Sequence, residues 1–455
     1  MTGRRSRRTA SRAAPCSSSR SPHRTRRPRP TCSRACGTTW ATRRTRASRR
    51  ASSTTGRSAA PPPRSRSRGT GSPSGCAGSP RTGSTSTAAC STAGPCCSTD
   101  PAVPDVLPAR CAAQLLSGPP AATAEDAVRR VLAVQGQDPR GFRLAVRART
   151  VPAVTAADVD AGLTERRSLV VSWLNRGTLH LVAADDFWWL HDLTTPQLAT
   201  ESRRRLQQEG VTPPLAERGV ATVLEQVAAG PRTRDELRAA LDAAGVPTAG
   251  QALVHVLLAA TLAHRLIRGP VQGGEHTMVL AEDWLGPAPE PLDRPVALAR
   301  LARRYLAAHG PATERDLAMW AKLPLRDVRA GLAAIADETV VDGDGLVDLA
   351  DRAPAEAPPP RLLGNFDPVL HGWVSREPVL GAHDADVVAG GVFRSCALVE
   401  GRAAGVWRIA GGRVRIAPFA PLPRGPEAAL LADAGAVLAF LGLPGKEPVL
   451  EPSTG

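Results

Sequence analysis

Gly230-Pro231-Arg232-Thr233, followed by Leu237, is matched 80 residues later by Gly310-Pro311-Ala312-Thr313, followed by Leu317. In each copy Gly-Pro closes one element and the Thr can cap a helix that begins directly after it. Each copy is preceded by a helical run, Val220 to Val227 and Leu298 to Leu306, and continues into a short helix rich in Arg, Asp and Glu. The first copy then carries a long helix over Gly250 to Arg268 and an extended stretch from Gly269-Pro270 to Leu280 with a Gly273-Gly274 turn. The second carries a third helix over Leu325 to Ala336, then Val340 to Leu349 about Gly343-Asp344-Gly345. Helix, turn, short helix, longer helix and β-wing is the order of a winged helix. A plainer reading, in which Gly-Pro-x-Thr only breaks one helix and caps the next, still gives repeated helix-turn-helix units.

Toward the N-terminus, Ala124 to Val134 reads as an amphipathic helix with Thr123 as its cap, and Ala156 to Arg166 as a second. Ser168 to Val182 holds two β-rich runs about Asn175-Arg176-Gly177, a hairpin pattern, and a helix rich in Phe187, Trp188 and Trp189 follows over Ala184 to Leu193. Toward the C-terminus, a Pro/Ala linker at Pro354 to Pro360 precedes short β runs separated by Gly390-Gly391, Glu400-Gly401 and Gly411-Gly412, then a helix over Glu427 to Leu441. The expected fold is α+β: tandem winged-helix (helix-turn-helix) domains followed by a small C-terminal antiparallel β-barrel-like domain. The expected divisions are a disordered tail over 1–102, winged-helix domains over 103–215, 216–290 and 291–353, and a β domain over 361–455.

The net charge of +16 is misleading until it is located. Residues 1–100 hold 21 Arg and a single acid, Asp100, so of 58 basic and 42 acidic residues the remainder keeps 37 and 41. The folded part is therefore near neutral, and contact with nucleic acid has to come from local patches. The first hundred residues lack Val, Leu, Ile, Phe and Tyr, so they have no apolar surface to offset the entropy of ordering. They also hold seven of the nine cysteines, in no ligand-like spacing. A basic arm, a zinc or disulfide module and an upstream or shifted reading of GC-rich DNA are the three readings of this tail, and the last is favoured. No apolar h-region follows the Arg-rich start, and no apolar stretch is long enough to span a bilayer. Outside the tail only Cys111 and Cys396 occur, which fits a reducing, cytoplasmic setting.

Phosphate-loop, His-Glu-x-x-His, Cys-x-x-Cys and Gly-x-Ser-x-Gly patterns are absent from the body. Its histidines form no ligand-spaced cluster, so neither a metal nor another cofactor is expected. Val134-Gln135-Gly136-Gln137-Asp138-Pro139 stands out at the predicted end of the first amphipathic helix. Two glutamines two apart can aim their amides at one locus if the chain turns at Gly136, with Pro139 expected to stop the helix. The alternative is a pair of solvated C-cap residues. His180 in a strand reads first as a structural histidine, Arg203-Arg204-Arg205 as a solvated helical face, and Trp188-Trp189 as core.

Residues 127–149, AVRRVLAVQGQDPRGFRLAVRAR, resemble the start of the AlkZ/YcaQ-like family of bacterial winged-helix DNA glycosylases. NRGTLHLVAADD (175–186) is similar to a second block of that family, and LLGNFDPVLHGW (362–373) with GRAAGVWR (401–408) to its C-terminal β domain. The resemblance runs over about 105–445 in the family's order. It implies a catalytic Gln-x-Gln on Gln135 and Gln137, with Gly136 a mild departure from the usual middle residue. It implies monofunctional hydrolysis of the N-glycosidic bond of alkylated purines, N7-adducted or crosslinked, by a monomer acting on damaged double-stranded DNA near the bacterial nucleoid. Arg143, Arg147, Arg149, Arg176, His180 and Arg203 to Arg205 are the candidate DNA contacts. A non-enzymatic winged-helix DNA-binding or regulatory protein is the rival expectation.

Overall fold

The computed structural model describes residues 106–272 and 275–453, so what was expected of the tail over 1–102 lies outside the described residues. The fold is α+β, and three stretches of chain repeat one order of elements. After α1 (Leu107–Ala113), the first stretch runs α2 (Ala124–Val131), β1 (Val134–Gln135), α3 (Pro139–Arg147), α4 (Ala156–Thr164) and the hairpin β2 (Leu169–Leu174) and β3 (Thr178–Ala183). Two connecting helices, α5 (Ala184–Thr194) and α6 (Leu198–Gln208), lead to the second: α7 (Pro213–Ala228), α8 (Arg234–Ala243), α9 (Ala252–His264), β4 (Leu266–Gln272), β5 (Glu275–Leu280) and α10 (Ala281–Leu285). The third is α11 (Arg294–His309), α12 (Glu314–Ala321), α13 (Leu325–Ala333), β6 (Thr339–Val341) and β7 (Val347–Leu349).

The sequence repeat is visible as local chemistry. Thr233 and Thr313 each close a capping box, with Glu236 and Asp316 reaching back to the Thr backbone. The residue before each Thr pairs with the second strand of its own hairpin, Arg232 with Met278 and Ala312 with Val347. In the first stretch Gln135 pairs in the same way with His180. This stretch carries no Gly-Pro-x-Thr, so its kinship with the other two shows in the order of its elements and not in a repeated motif.

Several expected boundaries move. The helix expected to reach Val134 stops at Val131, because Leu132 turns into the left-handed region (φ 70°) and the chain runs on as β1. Pro139 starts a helix instead of ending one: Asp138 caps α3 by accepting from the backbone N–H of Arg140 and Gly141, both at 2.8 Å, and proline's fixed φ suits the first helical position. The long helix of the second stretch ends at His264, where Arg265 takes φ 52°, and the residues expected to complete it form β4.

One sheet, in the order β1-β3-β2-β4-β5, joins the first two hairpins through the pair Val171 and Arg268. The C-terminal part holds β8 (Arg361–Leu363), α14 (Glu377–Leu380), α15 (Asp384–Val387), the small hairpin β9 (Val388–Ala389) and β10 (Val392–Phe393), β11 (Cys396–Val399), β12 (Arg402–Ala410), β13 (Arg413–Pro418), α16 (Arg424–Phe440) and β14 (Val449–Leu450). Its sheet, β14-β13-β12-β11-β8, is open, which corrects the barrel-like expectation. The edge strands are only two and three residues long, and β14 adds to β13 in parallel, so nothing pairs the two edges into a closed ring.

This sheet is fastened to the first stretch. Phe142 and Leu144 of α3 share a buried cluster with Ile416, Leu430 and Val437. Arg149 makes a fully buried two-pronged pair with Asp367 (2.7 and 2.9 Å), and Arg147 a similar one with Asp433 (2.8 and 2.9 Å). Gly141 allows the closest approach: a Cβ there would sit 2.4 Å from the carbonyl oxygen of Asn365. No helix among the described residues is long and apolar enough to cross a membrane.

Candidate active site at the first repeat

The two glutamines leave an edge strand, not a helix end. Gly136 extends the ladder by donating its N–H to the Leu179 carbonyl (2.7 Å), and a Cβ at this position would press within 3.3–3.4 Å of the Leu179 and His180 backbone. Gln135 is buried and Gln137, two residues on, is exposed before Asp138 starts α3. The pair thus spans two environments within three residues.

On the buried side, Arg176 donates through Nη2 to Gln135 Oε1 (3.3 Å) and through Nη1 to the Trp320 carbonyl of α12 (2.7 Å). Burial lowers its pKa to about 10, so it stays charged at neutral pH, and no ion pair neutralises it among the described residues. His180, 2 % exposed, is pushed down to about 3 by burial and then by the neighbouring Arg176 charge. Being neutral, it donates from Nδ1 to the Thr178 carbonyl (2.9 Å), which leaves Nε2 as an acceptor. His371 is also held well below the usual imidazole range, by burial, then Arg176 and His180, and it stacks against Phe366 with ring centres 6.0 Å apart. Gln135 therefore meets one cation, Arg176, and pairs in the sheet with a residue whose imidazole is neutral, His180, while His371 lies within electrostatic reach of both.

On the exposed side, Gln137 lines a cleft of about 650 Å³. Its near wall is Pro139, Phe142, Arg143 and Asp160 from the first stretch, and its far wall Arg234, Arg268, Glu275 and His276 from the second. Burial lowers Arg268 to about 10, with its guanidinium 5.4 Å from the centre of the Trp173 ring. His276 is likewise lowered by burial, and in its neutral form it donates from Nδ1 to the Gly269 carbonyl (3.1 Å).

The other expected residues separate. Arg143 reaches the cleft but is held by Asp160 and the Pro139 carbonyl. Arg147 and Arg149 are buried in their pairs with Asp433 and Asp367, which corrects the expectation that they meet phosphates. Arg203, Arg204 and Arg205 are exposed on α6, the first and third leaning on Thr200 and Gln208 of the same helix. Trp188 and Trp189 are buried core, with the Trp189 indole N–H donated to Asp186. No group of three or more His, Cys, Asp or Glu among the described residues is placed to hold a metal.

Four residues of this neighbourhood were not singled out in the sequence. His371 and Asn365, whose amide donates to Asp138 (3.3 Å), lie inside a quoted block, and that block's position was their only signal. Arg268 and His276 come from a different repeat, more than 100 positions from Gln137, and alternation along a hairpin was the only available hint.

Comparison with curated proteins gives no match. Among solved structures, the fold is similar to the Streptomyces sahachiroi DNA glycosylase AlkZ, with a TM-score of 0.64 and 25 % identity over 76 % of this chain and 98 % of that one. The family model described as DNA glycosylase AlkZ-like matches residues 128–440, a span that takes in Gln135, Arg176, the cleft and every strand of the C-terminal sheet but β14. The chain belongs to the AlkZ-like DNA glycosylase family.

Proposed function

We propose that this protein is a monofunctional DNA glycosylase acting on damaged duplex DNA, hydrolysing the N-glycosidic bond of purines that are alkylated at N7 or crosslinked. In this reading three winged helices form the scaffold, and Gln135 and Gln137 are the catalytic pair. The observation that carries it is the placement of the two amides, one buried against Arg176 and one exposed in a cleft with Arg234, Arg268 and His276.

The chemistry asks for little acid–base power. An N7-alkylated purine carries a positive charge, so it leaves with the electron pair of the C1′–N9 bond and becomes neutral. Water adds its oxygen to C1′ and releases a proton to solvent. Glutamine is a poor base, but its amide can hold and orient that water. Orientation of this kind is worth on the order of 7–11 kcal/mol in well-aligned cases. The oxocarbenium-like sugar gains from fixed amide dipoles. The neutral imidazoles of His180 and His371 add no cation that would oppose this charge.

The monofunctional part is supported by the lysines. Only Lys322 and Lys446 occur in the chain, one paired with Glu201 and the other bonded to the Gly411 carbonyl, and neither lines the Gln137 cleft. A Schiff-base lyase step needs an amine at the sugar. For phosphates, the exposed Arg203, Arg204 and Arg205 are the contacts we favour.

The test uses the full chain on duplex DNA containing N7-methylguanine, scored by cleavage at the abasic site. Wild type is expected to excise, and Gln135→Ala/Gln137→Ala to bind the duplex without excising. Duplex binding by wild type with no excision of this or bulkier N7 adducts places the protein in the non-enzymatic DNA-binding class.

A further inference from the structure

A glutamine side chain has one acceptor atom and two donor hydrogens, whereas a guanidinium has donors only. The contact between Arg176 Nη2 and Gln135 therefore fixes the orientation of the amide: the oxygen faces Arg176, and the NH2 group points away from it. Turning the amide over would set donor against donor. Arg176 is itself held, by the Trp320 carbonyl from the third stretch, and it sits in a turn anchored by the Asn175 N–H on Thr194 Oγ1 (3.2 Å). Gln137 differs, being exposed with no hydrogen bond to its side chain among the described residues.

We infer that Arg176 is a positioning residue that makes Gln135 a hydrogen-bond donor to an acceptor atom of the substrate nucleotide, leaving Gln137 to hold the hydrolytic water through its carbonyl. This rests on the glycosylase reading and divides its labour. Arg176 takes one of the two lone-pair sites of the Gln135 oxygen, and its positive charge makes that oxygen the poorer acceptor for a water. The amide oxygen with no protein donor on it among the described residues is that of Gln137. The same geometry moves Arg176 from the expected DNA contacts to the support of a catalytic group.

The experiment is a double-mutant cycle on the full chain with N7-methylguanine duplex, reading single-turnover excision rate, duplex Kd and the salt dependence of Kd. Arg176→Ala and Gln135→Ala are each expected to slow excision by about 100-fold, with Kd and its salt slope unchanged. The double variant is expected to be no slower than either single, because the arginine acts only through the glutamine. Gln135→Glu, which keeps an acceptor for Arg176 but has no N–H, is expected to lose as much as Gln135→Ala. It decides the matter even if Arg176→Ala fails to fold. Losses that multiply in the double variant overturn the proposal. So does an Arg176→Ala defect carried by Kd and the salt slope, or near-wild-type excision by Gln135→Glu. If wild type itself does not excise, the glycosylase reading falls and not this assignment alone.

Discussion

In the second and third stretches the residue that bridges to the hairpin stands next to the helix cap, Arg232 beside Thr233 and Ala312 beside Thr313. In the first stretch the bridging residue is Gln135 and the cap is Asp138, so Gly136 and Gln137 lie between them. The two arrangements share a strand, a cap and a hairpin partner. What differs is two extra residues, which lengthen the ladder at Gly136 and bring Gln137 to the surface before the helix begins. The candidate active site thus stands at the one junction of the three where residues separate the bridge from the cap.

The largest effect expected tests how firmly the first junction is held. Arg149→Ala leaves the buried Asp367 without its cation, with only the Val369 backbone N–H still donating to it, which costs about 3–5 kcal/mol in denaturant unfolding. A loss under about 1 kcal/mol would show that the α3 anchor does not set the first stretch apart. Next comes the contrast in chemistry. Gln137→Ala is expected to slow excision by about 100-fold, near 2.7 kcal/mol, while Arg232→Ala at the later junction leaves the rate unchanged. Equal losses at both would break the comparison.

Acid gives a smaller effect. His180 and His309 are each lowered to about 3 by burial, so below an ordinary value near 6.5 the unfolded chain binds protons that the native one refuses. Stability is thus full above that range and falls as pH drops through it, by about 2 kcal/mol per histidine at pH 5. Melting curves at pH 7.5 and 5 check this, and His180→Gln should flatten the dependence. The smallest effect compares the caps. Asp138→Ala and Thr313→Ala should each cost about 1 kcal/mol, but only Asp138→Ala should also slow excision, since it alone adjoins Gln137.

Much of this was legible in the sequence. The repeated Gly-Pro-x-Thr fixed two junctions because a capping threonine and its acidic partner act within four residues, and the hairpin about Asn175-Arg176-Gly177 showed in its β-rich runs. The first junction was misread because Val134 and Gln135 continue an apolar rhythm that looks helical, and only pairing with Leu181 and His180 makes them a strand. Arg147 and Arg149 looked like surface cations because their partners, Asp433 and Asp367, lie more than 200 residues away. Far partners of this kind leave no trace in local spacing, which is also why Arg268 and His276 went unseen.

The cleft has one wall from each of two repeats, and the strand seam between them is the single register pair of Val171 with Arg268, helped by the Ser172 hydroxyl on the Leu266 carbonyl (3.0 Å). The width of the opening is therefore set as in a caliper, whose jaws are the hairpins and whose screw is one rung of a sheet. A slip of one rung would reverse which side chains face the gap. Which side chains line the opening is in that sense a property of strand registry.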